Sequence, residues 1–398
     1  MKVVLGVTGG IAAYKAAELV RALTKRGDEV RVIMTASATE FITPLTLQVL
    51  SGNPVGTTLF DPTYESEIGH IEIARWADVI LVAPATANTI AKIAAGMADD
   101  LLTTVILATR APVVIGPAMN TEMFRNKLVQ QNLTRLRDAG IHVVDPDSGE
   151  LACKEVGQGR LPDAWVLLDA LDNVLTPKVL AGKHVVITAG PTREHADPAR
   201  FISNPSTGKM GFALASAARH MGAEVTVVSG PVSLVTPPGV FRIDVTTAQE
   251  MFDATMRAAP SADMVICTAA VADFRPATSG DRKLSKAELG QTWELERNPD
   301  ILATLGERYG VDQDEGPIIV GFAAQTHDVL ELGREKMLKK KAHALVANKV
   351  GGPDSSFGAD ESSAYVIKPD SHRELPRAPK AELARQILEI ISLHADGR

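Results

Sequence analysis

Residues 3–34 read "VVLGVTGGIAAYKAAELVRALTKRGDEVRVIM", and this stretch decides the fold. "VVLGV" (3–7) is a short, largely β-branched run that fits a buried strand. It breaks at Gly9-Gly10, and apolar residues then recur at helical spacing through Ala12–Arg26. Gly27 closes that helix, and "EVRVIM" (29–34) is the next strand. Strand, glycine turn, helix, strand is a βαβ unit, which implies a parallel sheet wrapped by helices.

The same alternation continues through "DVILVAPA" (78–85), "PVVIGPAM" (112–119) and "IHVVDP" (141–146), with helical patterns between them. A helix over 162–175 ends this series, and "TPKVLAGK" (176–183) reads as a boundary. The alternation restarts at "HVVITAG" (184–190). Helix 208–221, strands "EVTVVSG" and "VFRIDVTT", helix 248–259 and strand "DMVICTAAV" (263–271) follow. A polar stretch, 275–292, interrupts the pattern. Beyond it come helix 299–308, strand "IIVGFAA", helix 329–342, strands "ALVAN" and "AYVIK", and a helix from Lys380. The expectation is two doubly wound, Rossmann-like α/β domains, 1–178 and 179–398, alike in plan but without a sequence repeat. Open α/β sheets bind ligands beyond the carboxyl ends of their strands, so the strand-end loops are the places to search.

Composition bounds the function classes. With 45% hydrophobic residues among 398, the chain can build large cores. A net charge of −7 argues against a nucleic-acid partner. Two cysteines cannot form a disulfide framework, which makes a reducing cytoplasm the expected compartment. The N-terminus reads as a first strand rather than a signal peptide, and no run is long enough to span a bilayer.

Three strand ends of the first domain are rich in glycine or hydroxyls. Gly9 and Gly10 offer backbone amides that suit phosphate, but the spacing is not G-x-G-x-x-G. "MTASATEF" (34–41) puts Thr35, Ser37 and Thr39 where an acidic residue would hold an adenosine ribose. That disfavours NAD and favours a mononucleotide such as FMN, although ordinary βα turns and helix caps account for the same residues. "VAPATANTIAK" (82–92) adds Thr86, Asn88 and Thr89 at a helix start. His70 follows a polar loop, and Asn120 in "GPAMNTEMF" sits at an N-cap position, where capping and substrate contact are both open. "GELACKEVGQGRL" (149–161) reads as an exposed glycine-rich loop holding Cys153, an unusual place for a cysteine. Cys267, inside a strand pattern, reads as a buried packing residue.

In the second domain, "TGKMG" (207–211) is not a P-loop: Met210 follows Lys209, and Ser203 stands where the first glycine would be. Asp273 lies at a strand end, Lys283 in the polar stretch, and Pro299 in a first helical turn. Lys336 and Lys340 share a helix face. A lysine run alone reads as a solvated face; beside strand-end residues it fits a phosphate site.

"VTGGIAAYK", "GHIEIARWAD", "PATANTIAK", "GMADDL" and "PAMN", in this order, resemble the flavin-dependent cysteine decarboxylases. With "ACKEVGQGR", the first half is similar to phosphopantothenoylcysteine decarboxylases, with a flavodoxin-like fold. The resemblance implies FMN bound at the glycine turn and the "PATANT" loop. It implies His70 as an acid/base, Asn120 as the holder of the substrate carboxylate and Cys153 as a proton donor on a mobile flap. The implied chemistry oxidises the thiol end of the substrate, releases CO₂, then reduces and protonates the resulting ene-thiol.

"TAGPTRE", "ISNPSTGKMG", "AAVADF", "NPDIL" and "VGFAAQT" resemble CTP-using phosphopantothenate–cysteine ligases. That resemblance implies CTP contacts from Asp273, Lys283, Pro299, Asp300, Ile301, Leu302, Phe322, Lys336 and Lys340. It gives Asn204 a contact to an acyl-cytidylate, and Mg²⁺ a supporting role. The implied substrates are 4′-phosphopantothenate, L-cysteine and CTP. The implied assembly is a homo-oligomer of trimeric decarboxylase and dimeric ligase contacts that closes as a dodecamer. Lys154, directly after Cys153, departs from the glycine common in relatives. Two alternatives stand beside this reading: an FMN-binding regulatory protein without catalysis, and a flavin reductase with an unrelated partner domain.

Overall fold

The computed structural model describes residues 1–59, 69–150, 156–283, 285, 292–350 and 358–392. Cys153 and Lys154 lie outside the described residues. Two units divide the chain, Met1–Thr176 and Pro177–Arg398. Among the described residues no helix is long and apolar enough to cross a membrane.

In the first unit β1 (Lys2–Val7), β2 (Glu29–Met34), β3 (Val55–Gly56), β4 (Val79–Ala85), β5 (Val113–Pro117) and β6 (His142–Val143) form one parallel sheet. Its order is β3-β2-β1-β4-β5-β6. Without the two-residue edge strand β3, the order of the other five is the flavodoxin-like 2-1-3-4-5. Every residue of β4 is buried, as expected of a parallel strand covered on both faces. Alternation sends Val3, Leu5 and Val7 into one core with Leu19, Leu23, Leu167 and Leu171. Val4 and Ile80 enter the other core with Ile73, Ile90, Leu102 and Leu133. Each fully buried leucine stabilises by about 1.5–3 kcal/mol. The helix Ala16–Lys25 buries Ala16, Leu19, Val20 and Leu23, an i, i+3, i+4, i+7 stripe. The turn before it, Ile11–Lys15, is 3₁₀ rather than the α-helix expected from Ala12.

The segment around Cys153 is built differently from the loop expected. Its arms are an antiparallel hairpin, β7 (Asp147–Glu150) and β8 (Val156–Arg160), with Gly149 opposite Gly157. Polar, glycine-rich arms carry no apolar alternation, so no strand signal shows in the sequence.

The second unit has eight strands in its main sheet: β9 (His184–Ala189), β12 (Glu224–Ser229), β13 (Phe241–Asp244), β14 (Met264–Cys267), β17 (Ile318–Gln325), β18 (Ala344–Lys349), β19 (Glu361–Ile367) and β20 (His372–Pro379). The order is β13-β12-β9-β14-β17-β18-β19-β20. The first six strands of that order are parallel and repeat the 3-2-1-4-5-6 plan of the first unit. β19 and β20 extend the edge antiparallel. β20, "HRELPRAP", escapes a sequence reading because two prolines and three charged residues obscure it; at an edge both are tolerated. Two further hairpins, β10 (Arg193–Asp197) with β11 (Arg200–Ser203) and β15 (Phe274–Pro276) with β16 (Leu295–Arg297), rise from strand ends. Asp197 is fully buried and builds the first turn by accepting from the amides of Ala199 and Arg200, both at 2.8 Å.

Candidate functional sites at two equivalent strand junctions

Strand order reverses between β1 and β4, and loops leaving there part to opposite faces and leave a crevice. A cavity of about 1040 Å³ occupies that crevice. Gly9, Gly10, Thr35, Ser37, Thr86, Asn88, Thr89 and Asn120 all line it, so loops distant in sequence converge. Gly9 is required by close approach: a Cβ there would lie 2.2 Å from Ser37 Cβ and 2.6 Å from the Ser37 carbonyl carbon. Buried Thr8 ties the two central strand ends together. Its hydroxyl donates to the Pro84 carbonyl at 2.7 Å and accepts from the Thr86 amide at 3.0 Å. Thr86 then caps the helix Ala87–Ala95 through the Thr89 amide.

Thr35 Oγ1 is buried with no hydrogen-bond partner among the described residues. An orphaned hydroxyl on a cavity wall fits a ligand that brings its own acceptor. Asn120 caps the helix Thr121–Arg125, its Oδ1 accepting from Glu122 N at 2.8 Å and Met123 N at 3.4 Å. The cap fixes the amide at the cavity wall. The hairpin docks on the same loop: Met119 N donates to Gly159 O at 2.9 Å, and a Cβ on Gly159 would meet Met119 O at 2.3 Å. The arms that lead to Cys153 are thereby anchored beside Asn120.

His70 opens the helix His70–Trp76, is half-buried, and does not line this cavity. Residues that the sequence did not single out also line it. Lys92 is held by Asp99 at 2.8 Å and Asp100 at 3.2 Å, and these bonds keep its ammonium above the usual lysine range. Lys15 and Arg160 line it too.

The second unit repeats the arrangement at the β9/β14 junction, where a cavity of about 940 Å³ lies. Asn204, Asp273, Pro299, Asp300, Ile301, Leu302, Phe322, Lys336 and Lys340 line it; Lys283 is exposed and does not. Asn204 Nδ2 donates to Val271 O at 2.9 Å, fixing one wall to the other. Asp300 caps the helix Ile301–Tyr309 and pairs with Lys340. Burial opposes its charge, but the Lys340 bond, the Ala303 amide and the nearby lysines outweigh that and hold its carboxyl below the usual range. Lys336 Nζ donates to Phe322 O at 3.3 Å. Burial first, then the Lys340 charge, pushes its ammonium down.

The glycines explain how a nucleotide could sit without a P-loop. Gly190 and Gly208 both have φ of +77°, and a Cβ on Gly208 would lie 3.5 Å from Gly190 Cα. A Cβ on Gly211 would lie 2.6 Å from Ala189 Cβ, so the helix Lys209–His220 packs tightly on β9. Tight turn, open backbone and close helix–strand packing are the three glycine roles of a dinucleotide fingerprint. Here the β10–β11 hairpin separates the first glycine from the other two, which hides the pattern in the sequence. Cys267 differs from expectation: it is only half-buried and lines this cavity, with burial pushing its thiol up to about 12.

Comparison with known proteins agrees with this division. Residues 1–176 match the Flavoprotein family, and residues 180–394 match the DNA/pantothenate metabolism flavoprotein C-terminal domain. The coenzyme A biosynthesis bifunctional protein CoaBC of Vibrio vulnificus (strain YJ016) is 49% identical over 98% of this chain and 97% of its own length. The protein of the same name from Escherichia coli (strain K12) is 46% identical over 100% and 98%. That from Bacillus subtilis (strain 168) is 46% identical over 98% and 96%. The chain therefore belongs to the family of bifunctional coenzyme A biosynthesis enzymes, with a flavoprotein decarboxylase half followed by a ligase half.

Proposed function

We propose that the second unit joins 4′-phosphopantothenate to L-cysteine with CTP, and that the first unit decarboxylates the product with FMN to 4′-phosphopantetheine. The observation that carries this reading is the pairing of cavities. A hydroxyl- and glycine-lined cavity and a lysine-lined cavity occupy the same junction of two like sheets in one chain.

In the ligase half a carboxylate oxygen of 4′-phosphopantothenate attacks the α-phosphorus of CTP and pyrophosphate leaves. The cysteine amine then attacks the acyl carbon and CMP leaves. Lys336 and Lys340 neutralise the charge that shifts onto pyrophosphate. Asp300 orients Lys340, and Asn204 stands beside the acyl-cytidylate. Mg²⁺ would travel with the triphosphate, keeping most of its waters, with Asp273 as a carboxylate at hand.

In the decarboxylase half, FMN supplies the redox chemistry when bound. Gly9, Gly10 and the Thr86–Thr89 helix start would hold its phosphate through amides and hydroxyls, and Thr35 and Ser37 would supply hydroxyls to its polar groups. Asn120 donates to the substrate carboxylate, Cys153 delivers the final proton, and His70 serves as acid/base from a position completed by a second subunit. Exposed Leu45 and Val49, one helical turn apart, and exposed Ile11 and Tyr14 at the cavity mouth support a homo-oligomer. Trimeric contacts in the first unit and dimeric contacts in the second would close a dodecamer in the cytoplasm.

The test supplies 4′-phosphopantothenate, cysteine and CTP to the purified protein. CMP, pyrophosphate, CO₂ and 4′-phosphopantetheine are the expected products. Yellow protein that releases no CO₂ from supplied 4′-phosphopantothenoylcysteine would overturn the decarboxylase half of the reading. Gly9→Ala is expected to leave the protein folded and pale. The flavin absorbance per protein should fall at least severalfold, because the methyl displaces the Ser37 backbone from the glycine turn; wild-type flavin content would refute that role.

A further inference from the structure

Asp273 and Asp300 reach the ligase cavity from different segments, one beyond β14 and the other at the start of the helix Ile301–Tyr309. Asn298 stands between them in the fold and lines the same cavity. Its Nδ2 donates to Ala272 O at 2.8 Å, and its backbone amide donates to Asp273 O at 2.9 Å. Its Oδ1 accepts from Arg275 Nη1 at 3.2 Å. The donor end faces a carbonyl and the acceptor end faces a guanidinium, so one orientation of the amide satisfies both. Arg275 is held in turn by Glu296 at 3.3 Å, its partner across the β15–β16 hairpin. The other edge of the same strand end is fixed from elsewhere. Buried Thr192 accepts from the Ala272 amide at 3.0 Å, and Asn204 donates to Val271 O at 2.9 Å. The Ala272 peptide is thus bonded on both edges, and the Asn298 bonds join it to the segment that carries Asp300.

Burial and the Lys340 charge push the Lys336 ammonium down, and Asp300 and Asp273 work against them. Both carboxylates therefore act on one lysine, and the spacing of their segments sets the field that a triphosphate meets there. We propose that Asn298 is a positioning residue of the ligase half: it clamps the Asp273 segment to the Asp300 segment and so holds Asp273 in place for CTP. This rests on the ligase reading above, in which Asp273 meets CTP. The β15–β16 hairpin acquires a role by the same argument. It carries Arg275 and delivers Asn298, the residue after β16, to the strand end.

The experiment measures CMP release by the full-length protein, varying CTP, 4′-phosphopantothenate and cysteine in turn. Asn298→Ala removes the donor to Ala272 O. It is expected to raise KM for CTP about tenfold, the loss of one hydrogen bond with its acceptor left unmet. KM for cysteine should hold, and decarboxylation of supplied 4′-phosphopantothenoylcysteine reports that the chain is intact. A double-variant cycle with Asp273→Asn separates positioning from general loosening. Because Asn298 acts through Asp273, the double variant should show a KM for CTP within about twofold of Asp273→Asn alone. Arg275→Ala frees the amide to turn and should raise KM for CTP in the same direction, by less. Its half-exposed side chain gives a variant that folds if Asn298→Ala does not. Unchanged KM for CTP in Asn298→Ala, or in Arg275→Ala where the first variant does not fold, overturns the clamp. Effects that add in the double variant overturn it too, as does an equal rise in KM for all three substrates. Asp273→Asn with a wild-type KM for CTP overturns the Asp273 contact instead, and wild-type protein that releases no CMP overturns the ligase reading.

Discussion

Cys153→Ser is expected to stop 4′-phosphopantetheine formation while CMP release continues at the wild-type rate. A thiol has an ordinary pKa near 8.5 and can give up a proton to a developing carbanion; a serine hydroxyl is far too weak an acid. Loss of a positioned acid lowers the rate by about 10²- to 10⁴-fold. The substitution exchanges sulfur for oxygen between two arms held by other bonds. β7 pairs with β8, and Gly159 anchors β8 to Met119. The hairpin and the Asn120 cap therefore survive, and flavin absorbance should be unchanged. 4′-Phosphopantetheine formation and CMP release, followed on the same sample, check both halves at once. If CMP release failed together with 4′-phosphopantetheine formation, the division of labour between the two units would be wrong.

How much of this was legible in the sequence depended on the range of the signal. The βαβ plan rests on local periodicity, and residues 3–34 displayed it because β1 and β2 are apolar and the helix stripe is regular. The convergence of Gly9, Thr35, Thr86 and Asn120 was inferable from strand order alone, since each follows a parallel strand. Contacts set by long-range packing left no local mark. Lys380 is 31 residues beyond Lys349, the last residue of β18, and only the antiparallel β19–β20 extension returns the chain to Asp360 and Lys209. Gly190 and Gly208 touch across a hairpin whose strands the sequence disguises as polar loop. Lys283 stands apart from the other residues expected to contact CTP. Its motif is intact, yet its side chain is exposed and off the cavity.

Lys336 lines the ligase cavity, and the proposed reaction sets it against the leaving pyrophosphate. Lys336→Gln is expected to lower CMP release by about 10²- to 10³-fold, as removal of one preorganised charge from a developing anion does, while decarboxylation of supplied 4′-phosphopantothenoylcysteine continues. The amide can still donate toward Phe322 O, so the loss is mainly of charge. A pH profile separates charge from packing. Burial and the neighbouring Lys340 push the Lys336 ammonium down, so the cation is complete at low pH and is lost on the alkaline side earlier than from an ordinary lysine. CMP release should therefore decline in the alkaline range with the wild-type side chain. Lys336→Arg, whose guanidinium stays charged, should carry the plateau to higher pH even if its maximum is lower. An identical alkaline limb in both proteins would assign the titration to another group. A Lys336→Gln protein with a full rate would remove Lys336 from the chemistry.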